Sequence, residues 1–296
     1  MPLDECLPAE LRGPDTEITE IEAGLSGAGV FRVDAGGRAY VLKVTHDEIE
    51  PWRKKAALIR LASEAGVAPR VVHIDEERRA ITSELVVDQG LPALLAKGGV
   101  IQALATMLRK LHDVPLPEGT APQQPLGMMH ALWTGPLAGL PVPAFVTQAV
   151  ERVLSEEPPP ADSLVFSHGD VNPTNLVFDG ERLLLVDWDV AGANDPYYDL
   201  AAASVFLRLD ERQRDDLLAA YGAPPSPRFD YDRRVVAVGC GVVFLHLARM
   251  AGHEGRTTGV SLPLQDFYHR LQVGAFSLGN ADGRWAFGLA LIGEMA

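Results

Sequence analysis

The segment that most constrains the fold of this chain is His168-Gly169-Asp170, which follows a short apolar strand and precedes a predicted hairpin. The two hairpin strands are predicted at residues 175–178 and 183–186, because the Asp-Gly pair between them is typical of a tight turn. Asn175 and Asp187 should therefore emerge at the same end of the hairpin, near the loop that carries Asp170. Carboxylate and amide oxygens are ligands for a hard cation such as Mg²⁺, so the pattern predicts a metal site.

A phosphoryl-transfer site needs such metal ligands, a carboxylate for the acceptor hydroxyl and a cation for the nucleotide phosphates. Asp170 suits the carboxylate role, and Asn175 with Asp187 suits the metal role. Lys43, within Val41-Leu42-Lys43-Val44, is the candidate phosphate contact. The alternative for Lys43 alone is an edge-strand lysine that faces solvent.

The element pattern predicts an α+β chain. The first 90 residues predict strands and one helix, and helices dominate from about residue 91. Strands are predicted at 18–25, 30–33, 39–44, 71–74 and 80–87, and a helix is predicted between Pro51 and Gly66. Later helices are predicted near 199–221, 231–250, 263–278 and 284–295. The proline-rich residues 114–144 predict either a linker or a loop over a site.

The acidic composition of the chain limits the classes of partner that it can bind. The 296 residues include 26 basic and 40 acidic side chains, for a formal net charge of -14, which argues against nucleic acid as partner. A cationic small molecule would be attracted, although an acidic surface also simply keeps a protein in solution. The apolar run at 235–245 is too short to span a bilayer and predicts a buried helix. With no secretory signal at the N-terminus and two isolated cysteines, we expect a cytoplasmic protein without membrane partners, either monomer or homodimer.

Two motifs carry a family resemblance. H-G-D-V-N-P-T-N at 168–175 and L-L-L-V-D-W-D-V-A-G-A-N-D-P-Y-Y-D-L-A at 183–201 resemble the aminoglycoside phosphotransferase and choline kinase superfamily. Members of this superfamily are relatives of protein kinases that phosphorylate small molecules. The resemblance is strongest over residues 163–203. It implies a bilobal protein-kinase-like fold, with a sheet-containing N-lobe at 1–87 and a mainly helical C-lobe at 88–296.

The resemblance also implies roles for individual residues. Asp170 would be the catalytic base, Asn175 and Asp187 would hold Mg²⁺, and Lys43 would contact the α- and β-phosphates of ATP. The remaining nucleotide contacts would come from a turn and a hinge: Ser26, Gly27 and Ala28 in the turn, and residues 83–86, with Glu84 and Val86, in the hinge that pairs with adenine.

Two further residues resemble structural positions of the family. His168 would hold the catalytic loop rather than bind metal, and Asp199 would orient that loop. Asp189 is ambiguous, because a solvated or loop-bracing carboxylate is as consistent with its position as a second metal contact.

One position departs from the family pattern. In protein kinases and many relatives a glutamate on the first-lobe helix pairs with the lysine, and here that place corresponds to Lys55. Either Glu50 takes the role from a shifted turn, or Lys43 is oriented in another way.

Three functions fit these observations. The first is an ATP- and Mg²⁺-dependent phosphotransferase acting on a hydroxyl of a small, cationic acceptor, either an aminoglycoside or another antibiotic, which would give resistance, or a choline-like amino-alcohol. Aromatic side chains could enclose a quaternary ammonium or could belong to the core: Trp133, Tyr197, Tyr198, Phe229 and Tyr231. The second function is a nucleotide-binding pseudokinase or regulatory module, and the third is a metal-dependent phosphoesterase.

Overall fold

The computed structural model describes residues 2–21, 28–96, 99–161 and 163–295. These residues divide into two compact units. The first comprises Met1–Ala121, Leu164–Asn194 and Asp216–Ala223, and the second comprises Pro122–Ser163, Asp195–Asp215 and Pro224–Ala296. The predicted lobe boundary between residues 87 and 88 is a different division of the chain and stays a prediction.

An antiparallel five-stranded sheet forms the N-terminal part of the first unit. Its strands are β1 (Glu17–Glu20), β2 (Gly29–Ala35), β3 (Arg38–Val44), β4 (Val71–Asp75) and β5 (Ala80–Glu84). The strand order is β1-β2-β3-β5-β4, which places β3 at the centre. Helix α1 (Ile49–Glu64) joins β3 to β4. The α+β prediction with one first-lobe helix is confirmed.

The side chains of β3 alternate between a buried face and the opposite face of the sheet, which carries Lys43. Tyr40, Leu42 and Val44 are buried in a cluster with two short 3₁₀ turns near the N-terminus, Leu3–Cys6 and Ala9–Leu11. Successive side chains of a strand point to opposite faces, so Lys43 lies on the other face of the sheet. A solvent-facing edge lysine is therefore ruled out, because β3 has hydrogen-bonded neighbours on both sides.

The rest of the first unit carries the polar loops. It contains α2 (Gly90–Ala96), α3 (Val100–His112) and four short strands: β6 (Val165–Ser167), β7 (Leu176–Phe178), β8 (Leu183–Leu185) and β9 (Gly192–Asn194). Strands β7 and β8 form the predicted hairpin, with Leu176 opposite Leu185. Asp179 closes the turn by accepting the backbone N–H groups of Glu181 and Arg182.

The second unit is helical and is organised around one long helix. Its helices are α4 (Pro125–Thr134), α5 (Ala144–Ser155), α6 (Pro196–Phe206), α8 (Pro227–Met250), α9 (Leu264–Gln272) and α10 (Ala281–Gly293). Helix α8 packs against α4, α5, α6 and α10. Its apolar run is buried, as the sequence predicts. None of the helices in the described ranges is both long and apolar enough to cross a membrane.

Two sequence-based expectations are wrong in detail. The single helix expected near 199–221 is two helices, α6 and α7 (Glu211–Tyr221), separated where Arg208 adopts a positive φ of 54°. The proline-rich stretch is not only loop, because Pro125 occupies the first turn of α4, where its missing N–H removes no helical hydrogen bond.

Candidate active site

Lys43 contacts two carboxylates that are far from it in sequence. Its Nζ lies 3.0 Å from Oδ1 of Asp187 and 2.8 Å from Oδ1 of Asp189. Partial burial alone would lower the pKa of Lys43, but the hydrogen bond with Asp189 and the charge of Asp187 raise it above its usual value. Partial burial alone would raise the pKa of Asp189, but the hydrogen bond and charge of Lys43, with the charge of Lys55, lower it. The pair is therefore ionised over the physiological pH range.

The acids of α1 contact arginines. Glu50 lies 2.6 Å from Arg53, and Glu64 lies 3.9 Å from Arg60. Of the two alternatives for Lys43, the structure thus gives the second: the lysine is oriented by the loop after β8. Lys55 itself points to acids, with its Nζ 3.0 Å from Asp47 and 3.8 Å from Asp189.

His168 ties the loop before Asp170 to the chain before Asp187. It is fully buried, and its ring stands edge-on to Trp188 with the centroids 4.6 Å apart. Its Nδ1 accepts the backbone N–H of Asp170 at 3.2 Å, so its Nε2 carries the proton and donates to the carbonyl of Val186 at 3.1 Å. This geometry suits a structural role, because both ring nitrogens of His168 form hydrogen bonds with the backbone.

The carboxylate of Asp170 receives hydrogen bonds from two asparagines. Asn172 donates to Oδ1 and Asn175 donates to Oδ2, each at 2.9 Å. Asn172 also caps its own turn, because its Oδ1 accepts the N–H and the hydroxyl of Thr174. The sequence reveals the turn-capping potential of Asn172, whereas its contact with Asp170 depends on the loop conformation.

Asp187 occupies an unusual backbone conformation. Its φ is 61°, in the left-handed region that L residues other than Asn and Asp rarely enter. The preceding residue, Val186, donates its N–H to the carbonyl of Asn175 at 3.0 Å, which extends the hairpin by one pair. The turn at Asp187 directs its carboxylate to Lys43 instead of continuing the strand.

The donor set fits magnesium. Mg²⁺ is usually held by one or two carboxylates together with phosphate oxygens and water, so one carboxylate and one amide oxygen are sufficient protein ligands. Asn175 directs its amide nitrogen to Asp170, and the oxygen of the same amide therefore points away from that carboxylate. Asp187, with a half-exposed carboxylate, follows the partner strand at the same, open end of this hairpin. Among the described residues, no group of three or more His, Cys, Asp or Glu side chains is arranged to hold a metal.

The predicted nucleotide turn falls partly outside the described residues, whereas the predicted hinge lies within them. Ser26 and Gly27 lie outside the described residues, whereas Ala28 is half-buried directly before β2. In the predicted hinge, the N–H groups of Glu84 and Leu85 donate to the carbonyls of Arg70 and Ala39. The Glu84 side chain pairs with Arg70 at 2.6 Å. The assignment of Glu84 and Val86 to a hinge that pairs with adenine stays a prediction.

The remaining candidates lie in the second unit. Asp199 is fully buried in the first turn of α6, and its predicted effect on the loop stays a prediction. The aromatic residues Tyr197, Tyr198, Phe229 and Tyr231 are buried in the core of this unit. The arginines at 228 and 234 lie over the ring of Tyr231, so this ring is not open to a quaternary ammonium. Trp133, the remaining aromatic of the predicted set, is half-buried in α4.

Comparisons with known proteins give a consistent result. A family model described as "Phosphotransferase enzyme family" matches residues 17–234. Protein LicA of Haemophilus influenzae is 35% identical over 54 residues, which is 18% of this chain and 20% of LicA. An aminoglycoside 3'-phosphotransferase of Niallia circulans is 39% identical over 74 residues, 24% of this chain and 28% of that protein. The chain thus spans between a fifth and three tenths of these relatives' lengths in the matched regions.

A solved structure extends the likeness to the whole fold. The choline/ethanolamine kinase family protein from Mesorhizobium loti superposes with a TM-score of 0.59 at 22% identity, covering 97% of this chain and 94% of that one. At that identity the likeness establishes the fold, which is the predicted protein-kinase-like fold.

Proposed function

The chain belongs to the phosphotransferase enzyme family, and we propose that it transfers the γ-phosphate of ATP to a hydroxyl group of a small, cationic molecule. The observation that carries this proposal is the carboxylate of Asp170, held by two asparagine amides at 2.9 Å. It lies beside the hairpin that bears Asn175 and Asp187. A carboxylate fixed in this way can accept a proton from a hydroxyl placed against it.

Each residue has a distinct task in this mechanism. Asp170 orients the acceptor hydroxyl and takes its proton as the oxygen attacks phosphorus. Lys43 binds phosphate oxygens and holds the nucleotide in line. Asn175 and Asp187 would hold Mg²⁺, which neutralises charge on the phosphates when it is bound. His168 keeps the two polar segments in register through its two backbone hydrogen bonds.

The choice of acceptors follows from charge and from the relatives. A net charge of -14 favours cationic molecules over anionic ones. The names of the similar proteins, an aminoglycoside 3'-phosphotransferase and a choline/ethanolamine kinase family protein, suggest aminoglycosides and amino-alcohols as the first acceptors to test. The buried aromatics of the second unit favour neither class.

The two alternative functions are less well supported. The pseudokinase alternative depends on the absence of a glutamate at the place of Lys55, but Lys43 has two other carboxylate partners. A phosphoesterase needs a larger cluster of metal ligands than the two acids that here face Lys43.

The test is acceptor-dependent release of ADP from Mg·ATP, measured with aminoglycosides, macrolides, choline and ethanolamine. We expect one class to stimulate turnover, and Asp170→Asn to reduce it by about 10²- to 10⁴-fold with ATP binding retained. Glu77→Gln, which alters an acid 87% exposed on the surface, is the matched control. Full turnover in Asp170→Asn would refute the base assignment, and hydrolysis of phosphate esters without ATP would favour the phosphoesterase.

A further inference from the structure

A single carboxylate oxygen lies between two lysine side chains of the first unit. Oδ1 of Asp189 is 2.8 Å from Nζ of Lys43 and 3.8 Å from Nζ of Lys55. All three side chains are mostly shielded, with 22 to 26% of each exposed. Shielding from water strengthens the interaction between opposite charges, so this contact is stronger than a typical surface ion pair.

The three residues come from three separate elements. Lys43 is on the central strand β3, Lys55 is in the middle of α1, and Asp189 is in the loop after β8. Asp47, before α1, also contacts Lys55, at 3.0 Å. The contact therefore fixes the strand and the helix to the loop that carries Asp187.

Asp187, the second partner of Lys43, is more exposed than Asp189 and is also a candidate metal ligand. Asp187 touches Lys43 at 3.0 Å through its Oδ1, and 44% of its side chain is exposed. A carboxylate that binds a divalent cation holds an ammonium less tightly, because the cation neutralises its charge. The contact of Lys43 with Asp189 is shorter and more shielded, and it does not involve the Asp187 carboxylate that suits the metal.

We propose that Asp189 is the positioning residue for Lys43, and that Lys55 holds Asp189 in place by its charge. The inference rests on the proposed function, because it concerns how the lysine is presented to the nucleotide phosphates. Helix α1 then contributes a cation, and the loop after β8 contributes both the metal carboxylate and the lysine-orienting carboxylate.

Two other roles predict different behaviour. If Asp189 were a second Mg²⁺ ligand, its contribution to nucleotide binding would not require Lys43. If Lys55 bound phosphate directly, its contribution would not require Asp189. Double-mutant cycles separate these cases, since only residues that act through each other give non-additive effects.

The experiment is calorimetric titration of the full chain with Mg·ADP, which needs neither acceptor nor turnover. We expect Asp189→Asn to weaken binding about tenfold, equivalent to about 1.4 kcal/mol, and Lys55→Gln to weaken it about threefold. Asp189→Asn should have little further effect in a Lys43→Met background, and Lys55→Gln should have little further effect in an Asp189→Asn background. Asp189→Glu, which keeps the charge, should recover part of the lost affinity.

The control is Lys54→Gln, which removes the same charge from an exposed neighbouring position on α1 and should leave binding unchanged. Equal losses from Asp189→Asn with and without Lys43 would overturn the proposal in favour of a metal ligand. A loss from Lys55→Gln that persists without Asp189 would overturn the role of Lys55. Unchanged binding in Asp189→Asn would overturn the inference alone, whereas a wild-type chain that does not bind Mg·ADP would overturn the proposed function as well.

Discussion

The side-chain amide nitrogen of Asn175 donates to two oxygens of Asp170, at 2.9 Å to the carboxylate Oδ2 and at 3.0 Å to the backbone carbonyl. Asn175 is buried, so this contact is shielded from water. The same side chain therefore fixes both the conformation of the loop and the direction of the proposed base.

Replacing this amide by a carboxylate should damage catalysis while keeping an oxygen ligand for Mg²⁺. In Asn175→Asp the donor is lost and a second negative charge faces Asp170, so we expect kcat to fall by about 10²-fold or more. Asn172→Asp, which removes the other donor from a more exposed position, should cost less. Steady-state kinetics with saturating Mg²⁺ checks both variants, and a wild-type kcat in Asn175→Asp would show that the amide does not orient the base.

The positive φ of Asp187 should be visible in the stability of two variants. Asp187→Gly and Asp187→Ala both remove the carboxylate and its contact with Lys43, but only glycine enters the left-handed region without steric cost. We expect the glycine variant to be more stable than the alanine variant by about 1 kcal/mol.

Urea denaturation in the absence of Mg²⁺ measures this difference, since it compares two variants with the same lost interactions. Neither variant should support Mg²⁺-dependent turnover. Equal stability of the two would mean that the backbone relaxes at residue 187 once the carboxylate is gone.

The α+β element pattern and the polar constellation could be predicted from local sequence signals, whereas the kinase-like fold was implied by the resemblance of the two motifs. The hairpin followed from its Asp-Gly turn, and the central strand followed from the apolar run around Lys43. Strand β9 was not predictable, because Gly192-Ala193-Asn194 has little intrinsic strand preference and pairs only because β6 lies beside it. The break between α6 and α7 is not apparent in the sequence, because apolar residues continue through Leu207 and Leu209.

The partners of Lys43 illustrate what sequence alone could not provide. Asp187 and Asp189 are 144 and 146 residues away along the chain, and no local pattern specifies which of several acids reaches the lysine. Helix α1 offered Glu50 as a plausible partner, and only the packed structure shows that Glu50 turns to Arg53. Long-range ion pairs are consequences of the fold and are not encoded in a motif.

The buried pair Arg228–Asp232 should make stability depend on pH. The two side chains are 2.8 Å apart within α8, and burial raises the pKa of Asp232 to about 6 despite the hydrogen bond and charge of Arg228. The negative charge of Asp195 acts in the same direction as burial.

The pKa of Asp232 is higher in the folded state than in the unfolded chain. Between about pH 4 and 6, Asp232 is therefore protonated in the folded state and ionised in the unfolded state. Stability therefore falls as pH rises through this range and is level above it. Between pH 4.5 and 7 we expect wild type to lose about 2 kcal/mol relative to Asp232→Asn, measured by urea denaturation. A relative gain by wild type would show that Arg228 outweighs burial.

Two glycines of α8, only two residues apart, should respond in opposite ways to alanine. A Cβ on Gly241 would lie 2.5 Å from Cγ1 of Ile292 and 2.9 Å from the backbone oxygen of Gly288, so α8 and α10 would have to move apart. Apart from its chain neighbours and the backbone of its own helix, a Cβ on Gly239 would meet no described atom within 4 Å. We expect Gly241→Ala to destabilise the chain by about 1–3 kcal/mol through overpacking, and Gly239→Ala to stabilise it by about 0.5–1 kcal/mol through helix propensity. Thermal and urea unfolding measure the stability of the two variants. If Gly239→Ala lost as much stability as Gly241→Ala, the close approach of α8 and α10 would not be what limits residue size on α8.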